Sequence, residues 1–381
     1  MDQLQQAFSV KFEFTVFFTR HLFASSNGVL RQFLATQKKG TKKKLLFVID
    51  SGVVDHHPNL IKEIKQFFID EISFEVVENI LVLPGGETAK NNEAYFYKIT
   101  EAVNSYGIDR HSYIVAIGGG AILDLVGYAA AVSHRGVRHI RIPTTVLSQN
   151  DSGIGVKNGI NFFEKKNFLG TFSPPVAVFI DSQFLTTLSN DDWRSGMSEA
   201  IKVALIKDKV FFTWLEENAA ALAARNMERM TYLVKRCAEL HMQHIAGGDP
   251  FEMGSSRPLD FGHWSAHKLE QLTHFSLRHG DAVALGIVFD STYSYLSNRL
   301  SLEALQRIIS LSKTLGFALT HPAMQIKDSS APVLIGLNEF REHLGGELTI
   351  MLLDEIGKGV EVHEMDFEIM KDTSTWLEQN A

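Results

Sequence analysis

Three stretches in the second half of this 381-residue chain carry side chains of the kind that bind divalent metal ions. Glu199 stands in SGMSEAIKVALI with Lys202 three residues on, so both project from one face of a helix. His263 and His267 stand at i and i+4 in DFGHWSAH, again on one helix face, and His279 sits in LRHGDAVALG just before a helix. Each has an ordinary structural reading on its own, as a surface ion pair or a helix cap, and the His pair lacks the glutamate of a HExxH motif. Together they offer a His, His, carboxylate set with one coordination position open, which is the catalytic and not the structural zinc arrangement. Fe(II), Mn(II) and Co(II) accept the same donors. Lys202, held near such a cation and away from water, would have its pKa pushed downward.

A second group of chemical residues lies between Gly118 and Asn167. An apolar run over 113–117 enters Gly118-Gly119-Gly120, and an Ala-rich amphipathic segment follows, the order strand, glycine turn, helix. Such a turn places backbone N–H groups at a helix N-terminus, where phosphate can sit. Beyond a second apolar run ending in Pro143, the chain is dense in Asp151, Lys157, Asn161, Lys166 and Asn167, groups suited to an anionic substrate beside a nucleotide-type cofactor. Asp50, at the end of the apolar run 45–49, either holds a ribose hydroxyl or caps the next helix.

Strand-like runs at 11–18, 45–49, 72–77, 80–83, 113–117, 140–142 and 176–181 have helical periodicity among them at 58–69, 91–105 and after Gly120. That alternation predicts a mostly parallel α/β sheet, with 11–18 reading as an antiparallel or edge strand. From about Ser182 helical periodicity dominates, over 191–206, 209–224, 227–245, 258–272, 280–300 and 302–315, with a late hairpin near 348–353 and 360–362 and a last helix over 366–379. The reading is two domains, 1–185 an α/β Rossmann-like domain and 186–381 an all-α domain apart from that hairpin, with the site expected in the cleft where open α/β sheets bind ligands.

The bulk properties fit an enzyme of small molecules. The formal charge is −7, from 37 basic and 44 acidic side chains, which argues against nucleic acid as a partner while allowing a local lysine cluster to attract an anion. The charge run Lys38–Lys44 reads as a solvated turn before a strand. One cysteine, Cys237, excludes internal disulfides and fits a reducing cytoplasm. The first residues alternate polar and apolar without a basic leader, and no apolar run reaches the roughly 20 residues that span a bilayer.

The segments GGGAILDLVGYAAA, RIPTTVLSQNDSGIGVKNGIN, KKNFLGTFSPPVAVFIDSQFLTTL, SEAIKVALI, DFGHWSAH and HGDAVALG, in this order over roughly 200 residues, resemble the sugar-phosphate cyclases, the family of 3-dehydroquinate synthase. The resemblance implies an N-terminal NAD-binding α/β domain, a helical metal-binding domain and a homodimer. Its motifs put the metal, zinc or cobalt, on Glu199, His263 and His279, and NAD on Asp50, Glu87, Lys90, Gly119, Gly120, Asp124, Thr144 and Thr145. They line the substrate site with Asp151, Lys157, Asn167, Lys202, Asp260 and His267, and match Arg135 to an arginine that reaches a neighbouring subunit's phosphate. The implied reaction is transient oxidation of a C7 keto-sugar phosphate, phosphate elimination, re-reduction and an intramolecular aldol closure.

The chain departs from the dehydroquinate branch at several points. Asp260 replaces an asparagine, Ser256 and Arg257 stand near the place of an arginine, Met242 stands for a lysine beside His241, and Phe340–His343 replaces a late Asp-Lys-Lys. Lost basic groups suit a substrate without a carboxylate, and the aspartate resembles cyclases that use sedoheptulose 7-phosphate, while His267 is kept as in dehydroquinate synthases. Two other readings compete: a glycerol dehydrogenase-like metal-dependent alcohol dehydrogenase, and a non-catalytic cyclase-like binding protein.

Overall fold

The computed structural model describes residues 3–37, 42–163, 165–247, 250–251, 258–343 and 346–380. Part of the charge run at 38–44 and the Ser256 and Arg257 substitutions lie outside them. The chain divides into two compact units, one of residues 1–143 and 155–183, the other of 144–154 and 184–381. The short segment 144–154 therefore packs with the helical unit although it lies within the α/β part of the sequence.

The first unit is built on a seven-stranded sheet of β1 (Thr15–Thr19), β2 (Lys43–Asp50), β3 (Phe74–Val76), β4 (Leu81–Leu83), β5 (Tyr113–Gly118), β6 (Arg138–Pro143) and β9 (Ala177–Asp181). The order is β1-β9-β6-β5-β2-β3, with β4 also pairing β2, and every pair is parallel. Parallel strands are covered on both faces, so they read as unbroken apolar runs; β5 is buried along its whole length and Leu46–Ile49 of β2 are within 1% of full burial. The 11–18 segment was expected as an antiparallel or edge strand. It does form an edge, but β1 begins at Thr15 and runs parallel to β9, in register from Thr15 opposite Ala177.

An antiparallel hairpin, β7 (Lys157–Phe162) and β8 (Lys165–Phe172), stands apart from this sheet. The sequence did not announce it, because β8 is half-exposed along its length and carries no apolar run. The hairpin is fastened to the Gly120–Val132 helix by a close approach at Gly127, where a Cβ would overlap the Asn158 side chain. Asn158 Oδ1 accepts a 2.7 Å hydrogen bond from Arg141, which is fully buried and also donates to the carbonyls of Gly155 (2.6 Å) and Lys157 (2.9 Å). Burial lowers the Arg141 pKa to about 10, leaving it a cation at neutral pH.

The second unit is helical, with a small hairpin of β10 (Ile350–Glu355) and β11 (Lys358–Val362). Side-chain caps start its helices: Asp208 for Lys209–Ala223, Asn226 for Met227–Ala246 and Ser301 for Leu302–Thr314. The helix expected over 191–206 is two, Asn190–Ser195 and Met197–Lys207, separated at Gly196. Gly196 is required there because a Cβ would overlap the Leu147 backbone. The helix expected from residue 258 opens with a 3-10 turn, Pro258–Asp260, and the α-helix starts only at His263. Helices Val29–Thr36 and Ile335–His343 were not anticipated.

Gly127→Ala should lower stability by roughly 1–3 kcal/mol, the usual cost of overpacking, because Asn158 cannot move without breaking its bond to buried Arg141. Equilibrium urea unfolding measures this; an unchanged midpoint would contradict the role given to the Gly127 contact.

Candidate metal and substrate site

The helical unit converges three helices on one buried carboxylate. Glu199, 2% exposed, sits in the first turn of Met197–Lys207. Its Oε1 lies 3.8 Å from His263 Nε2 and 3.7 Å from His279 Nε2, and it has no hydrogen-bond partner among the described residues. His263 opens the helix His263–Leu272, and His279 opens His279–Leu296. Each imidazole is oriented through its other nitrogen: His263 Nδ1 lies 3.1 Å from the Phe261 carbonyl, and His279 Nδ1 lies 3.0 Å from Glu270 Oε2. An Nδ1–H donated to an oxygen leaves the Nε2 lone pair free to ligate, and this outer partner is what fixes a metal-binding histidine. Burial, aided by the charge of Lys202, holds His263 well below the usual imidazole range, so its ring is neutral.

These three donors fit a divalent cation. Tetrahedral ligands about 2.0–2.1 Å from zinc stand roughly 3.4 Å apart, close to the 3.7 and 3.8 Å separations here. A buried carboxylate oxygen without a partner costs free energy unless a cation meets it. His267, Glu270 and His279 also lie close enough to hold an ion, but Glu270 is already engaged with His279 Nδ1.

Acid and base groups surround the donors. Lys202 Nζ pairs with Glu199 Oε2. Burial and Asp151 hold the Glu199 carboxyl above its ordinary range despite Lys202. Burial presses the Lys202 pKa down, but its carboxylate neighbours Glu199, Asp151 and Asp260 outweigh burial and hold the ammonium above the usual lysine range. Asp151 lies in the turn Ser148–Ser152 and its Oδ1 is 3.1 Å from His241 Nδ1. Against burial, Lys202 and His241 hold the Asp151 carboxyl well below the usual range. The His267 ring centre is 5.5 Å from that of His263 and 6.0 Å from that of His279, within the same cluster. Thr145, just upstream, bonds reciprocally with Ser148: its N–H and Oγ1 reach Ser148 Oγ at 3.0 and 2.9 Å. Thr144 beside it is buried.

The sequence did not mark Glu270, although it stands at i+3 from His267 on one helix face. It also did not single out His241 as a site residue, or Asp290. Asp290 is fully buried, accepting from the Gly262 N–H (3.1 Å) and Trp264 Nε1 (2.9 Å), the residues on either side of His263. Burial pushes its carboxyl up to about 7.

The α/β unit gathers a second cluster. Gly119, in extended conformation, is the N-cap of the Gly120–Val132 helix and makes no side-chain cap hydrogen bond of its own. Asp50 caps its own helix through the Gly52 N–H (2.9 Å), one of the two readings open for it, and also accepts from the Gly119 N–H. Burial holds its carboxyl up against these bonds. Gly85 packs so closely on Asp50 that a Cβ would overlap the carboxylate. Lys90, buried, donates to Asp124 (3.0 Å) and to Asn167 Oδ1. Asn161 donates to Glu87 (2.9 Å) and Asn91 (2.7 Å) and accepts from the Asn167 N–H (2.8 Å), and Lys166 lies 3.7 Å from Glu87. Glu87, Lys90, Asp124, Asn161, Lys166 and Asn167 therefore form one network. Arg135 does not join it: it is exposed, beyond the far end of the Gly120–Val132 helix.

Family models described as 3-dehydroquinate synthase N-terminal and C-terminal match residues 80–195 and 196–334. The 3-dehydroquinate synthase of Pseudoalteromonas atlantica is 34% identical over 315 residues, 81% of this chain and 85% of that protein. That of Dictyoglomus turgidum is 34% identical over 309 residues, 81% of this chain and 83% of that protein. Among solved structures, a 2-epi-5-epi-valiolone synthase from Streptomyces hygroscopicus subsp. jinggangensis, with NAD+ and Zn2+ bound, superimposes with a TM-score of 0.87 at 26% identity, covering 99% of this chain and all of that one. A probable glycerol dehydrogenase from Sinorhizobium meliloti shares the fold alone, at 13% identity and a TM-score of 0.61 over 96% of each chain.

Replacing Glu270 by Gln should weaken zinc binding roughly 10- to 100-fold, the usual cost of losing a metal ligand's outer partner, because the amide no longer enforces Nδ1–H on His279. Competition against a chromophoric chelator measures it; unchanged affinity would remove Glu270 from the site.

Proposed function

The chain belongs to the 3-dehydroquinate synthase family, and on that premise we propose that this sugar-phosphate cyclase closes its carbocycle from sedoheptulose 7-phosphate. The observation that carries the substrate is Asp260. It lies near enough to Lys202 to raise that ammonium's pKa, so a carboxylate stands where the dehydroquinate branch has a neutral amide. A fixed negative charge there opposes a substrate carboxylate, which 3-deoxy-arabino-heptulosonate 7-phosphate carries and sedoheptulose 7-phosphate lacks. Met242 in place of a lysine, on the helix that bears His241, removes a cation that such a carboxylate would need. The likeness to the 2-epi-5-epi-valiolone synthase supports the same choice.

Glu199, His263 and His279 would hold a divalent cation, zinc or cobalt; Asp50, Glu87, Lys90, Gly119, Gly120, Asp124, Thr144 and Thr145 would hold NAD. When bound, the cation supplies Lewis-acid polarisation of a substrate oxygen and the nicotinamide supplies a reversible store for hydride. The chain's own residues do the rest. Lys202 Nζ, kept charged by its three carboxylates, donates to the substrate oxygen on which negative charge develops, in a site too dry to screen it. Asp151, held ionised, keeps a proton on His241 Nδ1 and so fixes that ring. His267 supplies a further ring nitrogen that can take or give a proton. Lys157, Lys166 and Asn167 donate to the phosphate and hold it as the carbon–oxygen bond breaks, while Asn161, whose amide hydrogens go to Glu87 and Asn91, positions Asn167 through its backbone N–H. The sum is redox-neutral and releases inorganic phosphate, which separates this reading from the dehydrogenase of similar fold.

A homodimer in the cytoplasm completes the reading, with Arg135 directed to the neighbouring copy's phosphate. The lone Cys237 is buried, and no helix among the described residues is long and apolar enough to cross a membrane.

Phosphate release is the test, with NAD and Zn(II) present and Glu199→Ala as the blank. Sedoheptulose 7-phosphate should be turned over without net NADH and with kcat/KM at least roughly tenfold above 3-deoxy-arabino-heptulosonate 7-phosphate, and Asp260→Asn should narrow that ratio. Preference for the second substrate would assign the chain to the dehydroquinate branch, with His267 as its retained mark.

A further inference from the structure

The segment ahead of β1, residues 3–14, has no helix, turn or bend and joins no strand among the described residues. From Phe8 to Val16 its apolar side chains all fall on one parity, Phe8, Val10, Phe12, Phe14 and Val16, with Phe18 next on that face and Phe17 on the other, and the first three are 84%, 63% and 54% exposed. Successive residues of an extended chain point to opposite faces, so these six make one stripe. Lys11 and Glu13 share the other face, where they pair with each other. β1 is the last strand of its sheet, with β9 on one side and no described strand on the other. An apolar stripe continuous with an open sheet edge is an invitation to another strand.

We propose that this arm pairs antiparallel with the same arm of a second copy, with Phe12 on the two-fold axis. Charge complementarity selects this register. Opposite residues in an antiparallel pair share a face, and a two-fold pair brings i opposite 24 − i when Phe12 is central. Lys11 then faces the partner's Glu13, and Glu13 the partner's Lys11. Val10 faces the partner's Phe14, and Phe8 the partner's Val16, where β1 begins. Centring one residue earlier sets Lys11 against Lys11, and one residue later sets Glu13 against Glu13. Half-residue shifts put the apolar face of one arm on the polar face of the other. Only the Phe12 register joins opposite charges and hides the exposed phenylalanines at once. The arm rests on the reading that the chain self-associates and names the surface that does it.

Sedimentation equilibrium of the full chain, loaded with zinc and NAD, tests the register. Lys11→Glu and Glu13→Lys each create two like-charge oppositions and should each raise the dimer dissociation constant roughly tenfold. The double exchange K11E/E13K restores opposite charges and should return it to near the starting value. Phe12→Asp should give monomers whose far-UV circular dichroism matches the parent's. A dimer indifferent to Phe12→Asp and to the charge exchanges would overturn the arm and leave self-association standing. A parent chain monomeric at every concentration would overturn both.

Discussion

A carboxylate shut away from water with an oxygen that no hydrogen-bond donor meets is expensive, and among the described residues Glu199 Oε1 is such an oxygen. Two imidazole nitrogens face it at under 4 Å, and each is turned toward it by a partner on its far side. A cation would neutralise the carboxylate and give both lone pairs something to bind. The remaining charges follow from this one. Lys202 is kept protonated because it stands among Glu199, Asp151 and Asp260, and Asp151 is kept ionised because it stands beside Lys202 and His241.

One helix sets the frame for these groups. His279–Leu296 presents a ligand in its first turn, and eleven residues on Asp290 grips the backbone N–H before His263 and the indole after it. Between them Gly286 and Gly262 touch backbone to backbone, with no room for a Cβ at either. Gly262 also takes a φ of +78°, which favours glycine. Gly280 meets Ser195 in the same way, which ties the His279 turn to the helix just ahead of Glu199. Positions that look like weak helix formers in the sequence are thus the contacts that bring three separate elements to one point.

The sequence was readable where periodicity or residue chemistry carries the information. The parallel sheet follows from apolar runs such as 45–49 and 113–117, and the glycine turn at 118–120 stands where expected, with Gly119 as the cap. Glu199, His263 and His279 were a recognisable donor set and do converge. The hairpin β7–β8 was hidden because β7 buries asparagines among its apolar positions and β8 is half-exposed, and what defines it is the buried Arg141–Asn158 bond and the Gly127 approach. Glu270 and Asp290 were hidden because an acid in a helix has no local sign of being buried. The break at Gly196 was hidden because only the packing of the segment carrying Asp151 forbids a side chain there.

The measurement closest to the central claim is zinc affinity of the full chain compared with Glu199→Ala and His267→Ala. Glu199, His263 and His279 as the ligand set require one tight site per chain, lost by roughly 100-fold or more without the Glu199 carboxylate and changed only a few-fold without His267. The opposite pattern, with His267 essential and Glu199 dispensable, would move the ion to the His267, Glu270 and His279 trio and leave the buried Glu199 oxygen without its explanation.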